Sequence, residues 1–323
     1  MLSRINPQPR DVCLYHVGGT GGYGPIETIL RELPERCILV AVEARQDNGD
    51  QEQLLALQQA GIRSILVNAC VGETTGRADF HVGQHPESSS LLYPAGQGEH
   101  MGAYLADNID LWEEQSRVSH TIPVETKSLF DIVSHVGLTP EVLSLDAQGA
   151  ELAIMKGLGP LLKLVNVVCS EVEFHEIYRG QALFHHQMEF LTGEGFRLVD
   201  IYNQQFWHPG PSVGQGLLTV GEALWFRSIE SFLTIHQHDP NMVEQGVTLA
   251  AIALSYLRAS YAYTLVKRLE ELAGPDRVRE AWYDLGLLPA LVDFMDQHKP
   301  EYERDRKWYL QHLELKYGPG NQG

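Results

Sequence analysis

Two short stretches hold the side chains best suited to move a proton. The first, Asp146-Ala147-Gln148-Gly149-Ala150-Glu151, sets carboxylates on either side of a glycine turn. The second, Glu171-Val172-Glu173-Phe174-His175, alternates polar and apolar residues. Side chains alternate along a strand, so Glu171, Glu173 and, if the extension continues, His175 share one face while Val172 and Phe174 point the other way. Carboxylates or a histidine at the ends of neighbouring strands can take the proton from a hydroxyl, and Asp146, Glu173 and His175 are the candidate catalytic groups. Each also has a plainer role: Asp146 or Glu151 can favour a helix N-terminus, and His175 can be a surface histidine.

A third stretch is suited to hold a ligand. The apolar run 12–17 breaks into five glycines between Gly18 and Gly24, and Pro25 then opens a helix-like segment at 26–33. Glycines in such a strand–turn–helix take positive φ and let backbone amides approach a ligand closely. The apolar run 37–42 follows and ends in Glu43, a carboxylate placed to accept both hydroxyls of a ribose. Two cofactors fit. A dinucleotide matches because residues 19–24 spell GxGxxG, and S-adenosylmethionine matches because its loop does the same work with looser glycine spacing. The expected cofactor contacts are His16, Gly18, Gly19, Thr20, Gly22, Glu43, Asn68, Ala69, Cys70 and Asp146.

These side chains need a frame, and the first two thirds of the chain supply alternating strand and helix signals, the pattern of a parallel sheet with helices on both faces. Strands are expected at 12–17, 37–42, 64–71, 142–146 and 165–173, and two more at 196–202 and 217–226, an antiparallel pair. Shorter strands flank an irregular insertion, 84–120, at 77–82 and 118–124. Helices are expected at 50–59, 128–136, with Thr126 as cap, 152–155 and 184–191. Tyr93, Trp112, Tyr178 and Trp207 fall in loops near the inferred crevice, where they can stack on sugar rings or anchor the loops.

The chain has 323 residues, 44% of them hydrophobic, which suits one large domain and an addition. No apolar stretch approaches membrane-spanning length and residues 1–11 lack an apolar leader core, so a cytoplasmic protein is expected. Cys13, Cys37, Cys70 and Cys169 each sit within an apolar run and read as buried thiols. A net charge of −18 argues against nucleic acid as a partner. The 14 histidines include no HExxH or facial-triad spacing, and no metal is expected.

The ordered motifs HVGGTGG, ILVAVEA, ILVNACVGETTGRADFHV, SSSLL, LSLDAQGAELAIMKGL and SEVEFHEIYRGQALF, spread over residues 14–200, resemble the FkbM-type S-adenosylmethionine-dependent methyltransferases. The resemblance implies a class I methyltransferase fold, a doubly wound, mostly parallel seven-stranded sheet whose last strand is antiparallel. It also implies S-adenosylmethionine as cofactor and methyl transfer to a hydroxyl of a sugar, glycan or secondary metabolite. Two positions depart from the family pattern: His16 stands where its first loop has Asp, and Gln148 where its DVEGAE has Glu. A nicotinamide-dependent oxidoreductase and a catalytically silent methyltransferase-like binding protein are the alternative readings.

Residues 229–323 lie outside the resemblance, which leaves 1–228 as the expected methyltransferase domain. Apolar residues recur at helical spacing over 243–272, Gly274-Pro275 stops the run, and further helices are expected at 276–285, 289–297 and 300–317. Such a helical extension can serve as a cap, a partner-docking module or the contact of a homodimer.

Overall fold

In the computed structural model, residues 11–18, 22–44, 48–95, 112–208 and 215–284 are described. Two compact units divide the chain, residues 1–242 and 243–323. In the first unit, β1 (Val12–Gly18) leads through a 3-10 turn at Gly24–Ile26 into α1 (Glu27–Glu32), and β2 (Cys37–Glu43) follows. Then come α2 (Asn48–Gln59), β3 (Arg63–Asn68), β4 (Cys70–Gly72), β5 (Gly76–Gly83), α3 (Trp112–Gln115), β6 (Val118–Ser128) and α4 (Leu129–Val136). The remainder is β7 (Val142–Asp146), α5 (Glu151–Gly157), β8 (Val167–Glu173), α6 (Phe184–Gly193), β9 (Phe196–Trp207), β10 (Leu217–Arg227) and α7 (Ile229–His236).

Seven strands form one sheet in the order β3-β2-β1-β7-β8-β10-β9. β10 runs antiparallel to both its neighbours and the other pairings are parallel. This is the class I methyltransferase arrangement. The central strands are apolar on both faces, as a parallel sheet between helix layers requires: β1 and β2 expose almost nothing. One face carries Tyr15, Val40, Leu143, Val168 and Trp225 into a continuous core with Ile132, Leu152, Met155 and Leu191 from the covering helices.

The run expected as a single strand over 64–71 is divided. β3 ends at Asn68, Ala69 donates its N–H to the Glu43 carbonyl, and Cys70 starts β4 in a second, three-stranded sheet ordered β4-β6-β5. The apolar run resumes at Ala69 because β4 is buried and Ile65 and Val67 of the half-buried β3 pack against the same core, so hydrophobicity does not mark the change of sheet. The cap of α4 is Ser128, whose Oγ accepts from the Asp131 N–H at 3.1 Å, while Thr126 Oγ1 donates to the Thr74 carbonyl from within β6.

The second unit contains α8 (Met242–Ser255), α9 (Ala259–Ala273) and α10 (Pro275–Asp284). The expected run over 243–272 therefore breaks once, at Leu257, which sits in the left-handed region at φ 58°. Arg277 of α10 pairs with Glu244 of α8. The helices expected at 289–297 and 300–317 lie outside the described residues. Among the described residues, no helix is long and apolar enough to cross a membrane, and the four cysteines are buried and form no disulfide.

Candidate active site

A cavity of about 450 Å³ opens at the C-terminal ends of β1, β2, β7 and β8, a volume in the usual range for small-molecule sites. It straddles the point between β1 and β7 where the strand order reverses, the general ligand position of open α/β sheets. Val17 and Gly18 come from β1, Val42, Glu43 and Ala44 from β2 and the residue after it, and Ala69, Cys70 and Val71 from the crossing into the second sheet. Asp146 ends β7, Ala147, Gln148 and Ala150 follow it, and Glu171 projects from β8. The outer wall is built by the insertion, with His85, Glu87, Ser88, Ser89 and Trp112, and by Trp207 of β9.

Gly18 stands beside Asp146 in the β1–β7 register. Its φ is +80°, and a Cβ there would fall on the Asp146 carbonyl oxygen. The chain can turn out of β1 against β7 only because this residue has no side chain. Gly22 is described, whereas Gly19 and Thr20 lie outside the described residues. Glu43 ends β2, is 7% exposed and lines the cavity. Asn68, its register partner on β3, is exposed and stands outside the lining, whereas Ala69 and Cys70 belong to it.

His16 is not among the residues that line the cavity. It is buried, its Nδ1 lies 2.9 Å from Ser144 Oγ on β7, and its ring meets Tyr23 edge to face at 5.3 Å. Burial lowers its pKa to about 4, with backbone groups of Gly22 and Gly18 acting against the shift, so the imidazole is neutral at physiological pH.

The turn after β7 carries most of the polar chemistry. Glu151, fully buried, accepts the Ala147 and Gly149 N–H groups through Oε1 at 2.8 and 3.1 Å, so one carboxylate oxygen holds the turn together. Burial pushes its pKa up to about 7. Gln148 occupies the left-handed region at φ 53°, rare for a residue with a side chain. Its Nε2 donates to Asp146 Oδ1 at 2.9 Å and to Glu171 Oε2 at 3.1 Å. Its Oε1 accepts from the Tyr178 hydroxyl at 3.0 Å, and its carbonyl accepts from Ser90 Oγ at 2.7 Å. Burial raises the Asp146 and Glu171 pKa values, Glu171 the more strongly because Asp146, Glu173, Glu151 and Glu222 add like charge.

Glu171 and Glu173 do share a strand face, but only Glu171 reaches the cavity. Glu173 is fully buried behind it with neither carboxylate oxygen in a regular hydrogen bond, and burial with like charge holds its pKa well above the ordinary range. Extension stops at Glu173, and His175 falls in the bend that follows, outside the lining. Glu151, Glu171 and Glu173 bring carboxylate oxygens within 4.8 Å of one another. With one Glu151 oxygen bound to backbone amides and Glu173 closed off from the cavity, the grouping is a buried acid cluster.

Of the four aromatics, Trp112 and Trp207 line the cavity with ring centroids 5.1 Å apart. Tyr178 packs edge to face on Trp112 at 5.6 Å and spends its hydroxyl on Gln148 and the Ser88 carbonyl. Tyr93 is 45% exposed under the Arg179 guanidinium. The serine run fixes the insertion: Ser88 Oγ lies 2.8 Å from the His85 and Gln115 carbonyls, and Ser89 Oγ accepts the Gly83 N–H. Glu87 and His85 are lining residues that no sequence motif marks, since they reach the cavity through this loop closure. Gln148 stood out in the sequence only as a departure, although its place between two acids hinted at a bridging donor.

No curated protein matches the chain. Among solved structures it is similar to a Streptococcus pneumoniae protein provisionally assigned as a tRNA (m1A22) methyltransferase, at 11% identity over 84% of this chain and 93% of that one, with a TM-score of 0.32. The family model of the methyltransferase FkbM domain matches residues 16–198, from His16 beside the glycine turn to the start of β9. That span holds the end of β1, β2 to β8, the acid-bearing turn and most of the cavity wall, and the chain belongs to the FkbM methyltransferase family.

Proposed function

We propose that this methyltransferase uses S-adenosylmethionine and transfers its methyl group to a hydroxyl of a sugar, glycan or secondary metabolite. The observation that carries this reading is the charge of the cavity. Glu43, Glu87, Asp146 and Glu171 line it, and no Lys or Arg is among the described lining residues. A sulfonium cofactor with an ammonium group suits such a wall, whereas the pyrophosphate of a dinucleotide would bring two negative charges against it. The residues present fit the cofactor: Glu43 stands where ribose hydroxyls are accepted, and Gly18 leaves the turn bare beside Asp146.

When bound, S-adenosylmethionine supplies a methyl group already activated on a sulfonium sulfur. The chain's own part is then to align the acceptor and take its proton. Glu171, with Asp146 beside it, would take the proton released by the acceptor hydroxyl when that oxygen is methylated. Trp112 and Trp207 offer flat apolar walls for a sugar ring or polyketide face, and their burial excludes water. Titration calorimetry of the full chain with S-adenosylhomocysteine and with NADH tests the cofactor. Binding of the first alone is expected, and binding of NADH alone would overturn the reading. Labelled methyl groups recovered as alkali-stable ethers from a panel of hydroxylated acceptors would establish the oxygen transfer, and recovery as methylamines would refute it.

A further inference from the structure

Gln148 combines two features that normally cost stability. It holds a left-handed backbone conformation with a full side chain, and that side chain is set between two carboxylates in a low-dielectric cavity. Two neighbouring buried carboxylates ordinarily share a proton, because both cannot ionise at close range. An amide nitrogen can brace such a pair as well. Its two hydrogens go one to Asp146 Oδ1 and one to Glu171 Oε2, while the amide oxygen is turned away and accepts from Tyr178. With the amide reversed, its oxygen would face two carboxylates and the Tyr178 hydroxyl would lose an acceptor, so the network selects one orientation.

Resting on the methyl-transfer reading of this cavity, we propose that Gln148 is a positioning residue: its amide links Asp146 and Glu171 and holds both carboxyl groups aimed into the cavity. The hydrogen bonds from the amide favour the ionised form of the pair and work against the burial that raises both pKa values. The groups facing the pair act in the opposite sense. Glu87, Glu151, Glu173 and Glu222 each add negative charge to one or both, the Tyr178 phenol is neutral, and no cation among the described residues faces them. Gln148 is therefore a neutral donor to the pair, set against the like charge around it.

The test is a pH titration of carboxyl carbons by NMR in the full chain labelled with carbon-13 Asp and Glu, with Asp146→Asn and Glu171→Gln used for assignment. Gln148→Met, which keeps the length and removes the donor, should raise the ionisation midpoints of the pair by about one to two pH units, as loss of hydrogen bonds to charged groups implies. Gln148→Glu, which adds a third carboxylate, should raise them further. Gln148→Gly relieves the backbone and removes the amide, so it should shift the midpoints as Met does while raising thermal stability. Tyr178→Phe should give a smaller shift in the same direction and serves if the Met variant fails to fold. Unchanged midpoints in the folded Met, Gly or Phe variants would overturn the proposal. Calorimetry with S-adenosylhomocysteine on the same samples separates the two readings: lost binding in the parent protein would refute the cofactor, and a titration that ignores residue 148 would refute the bridge.

Discussion

Polar groups are buried at both ends of the same strand pair, β8 and β10, and the two ends treat them in opposite ways. At one end Arg227 closes β10, 1% exposed, with every guanidinium nitrogen used. Nε donates to the Val165 carbonyl at 2.8 Å, Nη2 to Leu162 at 2.7 Å and Nη1 to Glu194 at 2.9 Å, while the plane stacks on Phe196 with its carbon 4.2 Å from the ring centroid. At the other end Glu171 faces Glu222 across the strands, Glu173 lies beside them without a regular hydrogen bond, and no cation among the described residues answers them. Saturated burial of a charge is what a structural tie looks like. Unsaturated burial of several like charges destabilises the fold by itself, and such strain persists where a ligand or a reaction makes use of it.

Breaking the saturated end should have the largest effect on stability and the least on ligand binding. Arg227→Met removes the side-chain donor to the Val165, Leu162 and Glu194 carbonyls and should lower unfolding free energy by about 3–5 kcal/mol, read from urea midpoints. Affinity for S-adenosylhomocysteine per folded molecule should not change, and a tenfold loss of affinity would show that the two ends are coupled. Gly18→Ala should come next. It places a methyl on the Asp146 carbonyl oxygen in a left-handed conformation, at a cost of roughly 2–4 kcal/mol. Because it touches the hinge between β1 and β7, cofactor affinity should fall with it, and a stable variant with lost affinity would mean that Gly18 serves the ligand alone.

How much of this could be read in the sequence follows from the same contrast. The seven-strand frame was legible because its central strands β1, β2, β7 and β8 are short, largely apolar runs ended by Gly or an acid, and β7 matches its expected bounds. Glu43 and Asp146 were legible because strand ends at a reversal of strand order are where ligands bind. What alternation could not reveal was depth. Glu171 and Glu173 share a face, yet only coordinates show that one reaches the cavity and the other stops behind it. Gly18 reads as a cofactor contact, whereas its first constraint is the backbone of β7. Arg227 left no trace in sequence, since a lone Arg after an apolar strand is ordinarily a surface residue.

The unsaturated end can be sharpened by removing charge without removing shape. Glu173→Gln replaces a fully buried carboxyl by a neutral isostere and should stabilise the protein at neutral pH by roughly 1–2 kcal/mol. Methyl transfer should persist in that variant and fail in Glu171→Gln. Loss of activity in both would restore Glu173 to the reacting group, as the sequence alone suggests.

The smallest expected effect is on the pH dependence of stability, and it pits the acids against His16. Glu151 ionises at about 7 when folded against an ordinary value of 4.5, and Asp146, Glu171 and Glu173 are shifted in the same direction. Between those pH values the unfolded chain holds fewer protons on these groups than the folded one, so stability falls as pH rises. His16 works the other way: its folded value is about 4 against an ordinary 6.5, so the unfolded chain binds the extra proton and stability rises with pH across that window. Four carboxyls outweigh one imidazole. The ligand-free protein should therefore be most stable near pH 5 and lose stability towards pH 7. His16→Gln, which keeps a hydrogen-bonding partner for Ser144, removes the opposing slope and should steepen the loss between pH 5.5 and 7 by about 1 kcal/mol. Urea midpoints measured across that range decide it: parallel curves for the two proteins would mean that His16 is protonated in the fold, and a rise in stability towards pH 7 in both would mean that the carboxyls at the end of β8 are already ionised and paired.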